Sequence, residues 1–277
     1  MLRLMLAGLV TLSYLLHISD ATAQEIVEID TRPGVSQPFL IVPPKGNAKG
    51  AAILFPTEEG KVKFLEKSWG IKVKNGGWYG RSYRMFLDAG YWIVVVSVPS
   101  DQRHGIDTQF RQSTRHAADI TAVVTEVKKR TGFKPFLLGT CRGSYSAASV
   151  GSKIDNNTIS GIVLMSMRTT GKDGSLTEGA VRGGLKAPLL LLHHVDDDCK
   201  GTPYYGLENV ADFFRPSVRR LDTVTVTDGW PTSGRRQKSG CGSNGAHKFM
   251  GSEQEVVDTI SAWMNGESVP PVLSTGK

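Results

Sequence analysis

Several features are scarce or missing in this sequence of 277 residues. Beyond residue 23 it has no apolar run long enough to cross a membrane, so we expect no membrane span in the mature chain. It has no internal repeat and no low-complexity linker. With 40% hydrophobic residues and a mean hydropathy of −0.17, the composition is that of a globular protein and excludes disordered and membrane classes.

Cysteine is also scarce, with three residues at Cys141, Cys199 and Cys241. In an exported protein an odd number predicts one disulfide and one thiol kept for another purpose. No cysteine follows the N-terminal apolar run closely, which argues against a lipid anchor.

Long basic runs are missing although the formal net charge is +7. The dense basic runs are short, at 128–130 and 235–238, where we expect a helix end and a loop. We therefore interpret them as solvated surface and expect no nucleic-acid partner. The sequence leaves the oligomeric state open.

The first 23 residues have the pattern of a signal peptide. Arg3 precedes an apolar run that ends near Leu16, and Ala21-Thr22-Ala23 forms an A-x-A cleavage site. The run is short for a membrane span, although an uncleaved signal anchor is the alternative. We expect a mature chain from Gln24 to Lys277 in the periplasm or outside the cell.

Apolar, β-branched runs alternate with helical stretches along the mature chain, which predicts a parallel sheet covered by helices. We expect one α/β domain over residues 24–277, with a mostly parallel sheet of about eight strands, helices on both faces and a frayed tail over 266–277. The segment from Glu59 to Ser82 has no regular pattern, and an irregular stretch of this length is usually functional. Predicted strands lie at 25–30, 38–42, 51–55, 91–98, 135–138, 161–165, 188–193 and 221–226, and the main helices lie at 113–130 and 253–264.

The strongest motif follows the strand at 135–138. Gly139 to Gly143 reads Gly-Thr-Cys-Arg-Gly, and small residues continue into a helix. A nucleophile elbow needs flanking glycines because the chain must turn sharply to lift the central side chain above the sheet. The motif resembles the α/β-hydrolase superfamily, with cysteine in place of the usual serine, as in the dienelactone hydrolases. The alternative is a buried structural cysteine beside a glycine turn.

The resemblance implies an acid after a later strand and a histidine after the last one. The strand at 188–193 leads into three aspartates, of which Asp197 matches the superfamily offset best, while Asp196 and Asp198 stay possible. His247 lies between the last strand and the last helix. The predicted triad is Cys141, Asp197 and His247, in which His247 activates the thiol and Asp197 orients the imidazole.

The resemblance also implies an oxyanion hole formed by the backbone amides of Arg142 and of Thr57 or Glu58. Glutamates are unusual in this loop, but dienelactone hydrolases carry one there that takes part in activating their cysteine. Glu58 is similar in position, and the alternative is that its side chain faces solvent.

If the triad forms, the loops after Asp197 and before His247 meet, so we predict a disulfide between Cys199 and Cys241. The adjacent His193 and His194 are interpreted as strand-end packing residues rather than metal ligands, because no third ligand lies at a suitable spacing. We expect no metal and no cofactor.

These residues favour hydrolysis of a small-molecule ester, thioester or lactone through an acyl-cysteine intermediate. The rival hypothesis is an inactive α/β-hydrolase fold that serves as a secreted binding protein. Activity on a short ester panel with and without thiol alkylation separates the two.

Overall fold

We describe the protein from a computed structural model. The described residues are 24–68, 70–170, 174–177, 181, 184–229, 240–241, 245–274 and 276. The predicted signal peptide and the basic run 235–238 lie outside them. No helix among the described residues is long and apolar enough to span a membrane.

A nine-stranded sheet forms the centre of the fold. The strands of the structure are β1 (Glu25–Arg32), β2 (Val35–Val42), β3 (Gly50–Phe55), β4 (Lys63–Lys67), β5 (Gly70–Lys74), β6 (Tyr91–Val96), β7 (Pro135–Thr140), β8 (Gly161–Met165), β9 (Leu189–His194), β10 (Leu221–Val226) and β11 (Val272–Leu273). The order in the large sheet is β1-β2-β6-β3-β7-β8-β9-β10-β11. In this sheet β2 pairs antiparallel with β1 and β6, and all other neighbours pair parallel.

Helices cover both faces of the sheet, as the continuous apolar runs of its central strands require. The helices are α1 (Tyr79–Asp88), α2 (Thr108–Arg111), α3 (Thr114–Thr131), α4 (Gly143–Lys153), α5 (Gly206–Phe214) and α6 (Glu253–Met264). One core contains Ile120, Ala147 and Val210 from α3, α4 and α5, and the other contains Phe86 and Ile260 from α1 and α6.

Local sequence signals explain where α3 begins and ends. The Ser113 side chain caps its first turn by accepting a hydrogen bond from the His116 amide at 3.1 Å. Gly132 ends it in the left-handed conformation, with φ of 79°. Lys128, Lys129 and Arg130 in the last turn complement the helix dipole.

The predicted α/β class, with a mostly parallel sheet and helices on both faces, is confirmed. All eight predicted strands occur, with the predicted ends at 161–165 and 221–226 and with shifted ends in the other six. Two expectations are wrong. The tail predicted to fray contributes β11, which pairs with β10 through Thr225–Val272 and Val226–Leu273. The stretch from Glu59 to Ser82 contains the hairpin β4–β5, whose strands of five residues each are too short to give a clear periodic signal.

Candidate active site

The Gly-Thr-Cys-Arg-Gly motif forms a sharp turn between β7 and α4. Cys141 has a φ of 50°, in the left-handed region that costs an ordinary residue about 1 kcal/mol or more. The two glycines make the turn possible, because a Cβ on Gly139 would collide with the backbone of Gly143, and one on Gly143 with the carbonyl oxygen of Phe55. The backbone is therefore that of a nucleophile elbow.

The Cys141 thiol is unpaired, and the residue is only 5% exposed. It lines a cavity of about 300 Å³ at the carboxyl edge of the sheet, where α/β proteins bind ligands. The other residues that line this cavity are Glu58, Glu59, Arg142, Arg168 and Cys241. The cavity is small, and charges of both signs surround the thiol.

His247 and Asp197 form a buried pair. His247 lies in a short 3-10 turn before α6, and its Nδ1 is 2.9 Å from Asp197 Oδ2 and 3.1 Å from Oδ1. The other ring nitrogen, Nε2, is buried and makes no standard hydrogen bond to a described residue. Since the ring interacts with the Cys141 thiol, Nε2 is the nitrogen available to that thiol.

Of the three consecutive aspartates, Asp197 is the one buried against His247. Asp196 and Asp198 are exposed, and Asp198 accepts a hydrogen bond from the Gly240 amide at 3.0 Å. The turn after β9 accounts for this difference, because the Asp197 amide bonds back to the His194 carbonyl at 3.1 Å and directs the carboxylate inward.

Three further groups hold the Asp197 carboxylate. The Thr202 hydroxyl donates to Oδ2 at 3.0 Å, and the Cys199 amide donates to Oδ1 at 3.0 Å. His193 Nε2 lies 3.0 Å from Oδ2 and 2.8 Å from the Thr202 carbonyl oxygen, so a proton on Nε2 serves both acceptors. A buried carboxylate with this many donors is fixed in orientation and remains ionised.

Protonation of the three residues follows from these contacts. Burial alone raises the pKa of Asp197, but hydrogen bonds from His193 and His247 hold it well below its usual range. Burial lowers the pKa of His247, but Asp197 and Cys141 outweigh it and raise that pKa to about 9. Burial raises the pKa of Cys141, but His247 and Thr57 bring it below that of an ordinary thiol. The arrangement therefore supports a thiolate beside an imidazolium.

The loop after β3 brings Thr57 and Glu58 to the thiol. Thr57 is 2% exposed, and its hydroxyl lowers the pKa of Cys141 although it makes no standard hydrogen bond to a described residue. Glu58 has a φ of 52°, and its side chain is 64% exposed and paired with Lys248 at 3.1 Å. Its charge raises the pKa of Cys141, so it opposes the thiolate. These contacts fit the solvent-facing alternative for Glu58 better than a role in activation.

The irregular segment after this loop lines a second cavity of about 570 Å³, which shares Glu58 and Glu59 with the first. Its wall includes Lys61 and Arg81, and Arg81 also pairs with Glu253 at 3.2 Å. The aromatic residues Trp78 and Tyr79 in the same segment are fully buried in the core instead.

The predicted disulfide between Cys199 and Cys241 is present, with a Cα–Cα distance of 4.6 Å. It links the Asp197 turn to the segment that precedes His247. Possible ligand atoms of Asp197, Cys199 and His247 lie within 4.8 Å of one another. They do not form a thiolate metal site, because the Cys199 sulfur is in the disulfide and the other two side chains bind each other.

Three buried residues at this site were missed or misinterpreted in the sequence. Thr202 and Arg111 belong to no motif, and only the fold brings them near the site. His193 was interpreted as a packing residue, but it binds Asp197. Its position at the end of β9, immediately before the three aspartates, was the one available signal.

The fold is similar to those of solved α/β hydrolases. An esterase of Pyrococcus furiosus is 12% identical, with a TM-score of 0.56 over 88% of this chain and 90% of that one. A carboxyl esterase of Bacillus coagulans is 11% identical, with a TM-score of 0.56 over 88% and 99%. A lid-less α/β serine hydrolase of Xanthomonas campestris is 12% identical, with a TM-score of 0.51 over 74% and 86%. No protein-family model and no curated protein sequence matches the chain.

Proposed function

We propose that the protein hydrolyses a carboxylic ester, thioester or lactone through an acyl-cysteine intermediate. The observation that carries the proposal is the free Cys141 thiol on a left-handed elbow. Its pKa is lowered by His247, which Asp197 holds at 2.9 Å. The esterases of similar fold support a carboxylic ester as the substrate class. The cysteine elbow resembles that of the dienelactone hydrolases, which adds lactones to this class.

In the first half of the reaction the Cys141 thiolate attacks the carbonyl carbon, and the carbonyl π electrons move onto oxygen. The backbone amides of Arg142 and of Thr57 or Glu58 stabilise the oxyanion. When the intermediate collapses, the C–O bond to the alcohol of an ester, or the C–S bond to the thiol of a thioester, breaks. The imidazolium of His247 donates its Nε2 proton to the leaving oxygen or sulfur.

In the second half a water molecule attacks the acyl-cysteine, and neutral His247 takes its proton. The C–S bond then breaks, which releases the acid and restores the thiolate–imidazolium pair. Asp197 keeps Nδ1 protonated throughout, so that Nε2 is the nitrogen that exchanges protons. A ring-opening reaction of a lactone follows the same steps with both products in one molecule.

We also propose that the mature protein is a single domain from Gln24 to Lys277 that acts outside the cytoplasm. The disulfide between Cys199 and Cys241 supports this location, because such bonds persist in oxidising compartments.

A panel of short aryl esters, thioesters and lactones tests the proposed reaction. We expect the wild-type protein to turn over at least one class, and Cys141→Ala to lose turnover while keeping its circular dichroism spectrum and melting temperature. Cys141→Ser should retain little activity, because a site that stabilises a thiolate activates a hydroxyl poorly. Equal turnover by wild type and Cys141→Ala would contradict the proposal, and no turnover of any ester by the wild type would favour an inactive, secreted binding protein.

A further inference from the structure

Arg111, at the end of α2, is a charged residue that is fully buried next to the candidate active site. Its guanidinium donates to the Ser146 hydroxyl at 2.9 Å and to the Glu58 carbonyl oxygen at 3.0 Å. Its Nε is buried and has no hydrogen-bond partner among the described residues. Burial lowers the pKa of Arg111 to about 10, so the group is still charged at neutral pH.

Such a residue is unusual because burying a charge without a paired carboxylate is costly. Among the described residues, both hydrogen-bond acceptors of Arg111 are uncharged. Elsewhere in the same structure the largely buried Arg32 pairs with Asp119 at 2.8 Å, as is common for arginine. No direct ion pair with a described residue therefore neutralises Arg111, although Glu58 and Asp107 attract it through space.

The two partners of Arg111 belong to the two segments that carry the candidate oxyanion amides. Ser146 lies in the first turn of α4, directly after the elbow, and Glu58 lies in the loop after β3. The loop packs closely on the guanidinium, since a Cβ on Gly60 would lie 3.0 Å from Arg111 Nη2. The Ile106 amide, which precedes α2, also bonds the Glu59 carbonyl at 2.8 Å.

We propose that Arg111 is a positioning residue, which joins the oxyanion loop to the elbow helix and provides the fixed positive charge that stabilises the Cys141 thiolate. Only the effect of Arg111 on catalysis rests on the proposed function, because the protonation state of the thiol can be measured without a substrate. The Cys141 thiolate attracts Arg111 electrostatically, as do Glu58 and Asp107, whereas the nearby Arg142 repels it.

Several other charges act on the same thiol. His247 stabilises the thiolate and Glu58 destabilises it, while Arg142 and Arg168 line its cavity. Lys248 partly offsets Glu58 by pairing with it. Arg111 is fully buried, whereas Arg142 and Arg168 are partly exposed, and a charge acts most strongly where water is excluded. Lys248 is also buried, but its charge is paired with Glu58, whereas the hydrogen-bond acceptors of Arg111 are uncharged.

Three substitutions separate the charge of Arg111 from its hydrogen bonds. Arg111→Lys keeps the charge, Arg111→Gln keeps hydrogen-bond donors without the charge, and Arg111→Met removes both. For each folded variant, the pH dependence of Cys141 alkylation by iodoacetamide and of thiolate absorbance gives the thiol pKa. Cys141→Ala is the blank, because the disulfide leaves Cys141 as the free cysteine.

We expect the inflection point of both pH curves, which gives the pKa of the Cys141 thiol, to move up by about one pH unit in Arg111→Gln and Arg111→Met. In Arg111→Lys it should move by much less. Thiolate-dependent alkylation below the inflection should then fall by about tenfold in the two neutral variants. On an ester that the wild type hydrolyses, kcat should fall in these variants with little change in KM.

The proposal would be overturned if the thiol pKa were unchanged in both neutral variants. It would also be overturned if the thiol pKa of Arg111→Lys were no closer to wild type than that of Arg111→Gln. Arg111 would then be a structural residue. If Arg111→Met does not fold, the Lys and Gln variants carry the comparison alone. A protein that hydrolyses no ester but shows the expected thiol shifts would refute the proposed reaction and retain the role of Arg111.

Discussion

Removal of the disulfide between Cys199 and Cys241 should measurably destabilise the fold. The bridge joins residues 42 apart in sequence. Closing a loop of this length in the unfolded chain reduces its entropy by an amount worth about 4 kcal/mol at 25 °C. For a chain of this size, losing that much free energy of unfolding lowers the melting temperature by on the order of 10 °C.

The measurement uses Cys199→Ala/Cys241→Ala in a Cys141→Ala background, so that no thiol exchange occurs. Urea denaturation followed by circular dichroism gives the free energy of unfolding of the triple variant and of Cys141→Ala alone, which is the matched control. A loss below a quarter of the calculated value would refute the reasoning that the bridge constrains the unfolded chain.

Two further predictions concern the buried pair of His247 and Asp197. As the pH increases, the ascending limb of kcat/KM should lie at a lower pH than the ordinary thiol pKa of about 8.5, because the Cys141 thiolate forms at lower pH. The value of kcat/KM should fall near pH 9, where His247 loses the proton it must donate; a rate that keeps rising to about pH 10 would contradict this assignment. Asp197→Asn should lower kcat by about 10³-fold or more, since the imidazole loses its tautomer control. Asp196 is exposed, so Asp196→Asn is the matched control. An equal fall in kcat in the two variants would exclude Asp197 as the acid.

The sheet and the elbow could be predicted from sequence because their signals are local. Continuous apolar runs define β3, β6, β7 and β9, and the glycines around Cys141 define the turn. The disulfide followed from the order of the elements, since the loops after β9 and before α6 open at the same edge of the sheet.

The rest of the site depends on contacts between distant segments. Arg111 reaches Glu58 across 53 residues and Ser146 across 35, and neither spacing has a periodic signal. Thr202 follows the aspartates by a few residues, but its hydroxyl reaches Asp197 only because the turn after β9 folds back. β11 was missed because a strand of two residues adds no apolar run.

The central claim is that Cys141 becomes acylated during turnover, and rapid quenching tests it most directly. The wild-type protein is mixed with an activated acetate ester, quenched in acid within the first turnover, digested and analysed by mass spectrometry, with Cys141→Ser as the comparison. We predict one acetyl group on the peptide that contains Cys141, present early and lost as the substrate is consumed. Release of acetate with no acylated Cys141 at any time, or an acetyl group on another residue that turns over at the steady-state rate, would contradict the account.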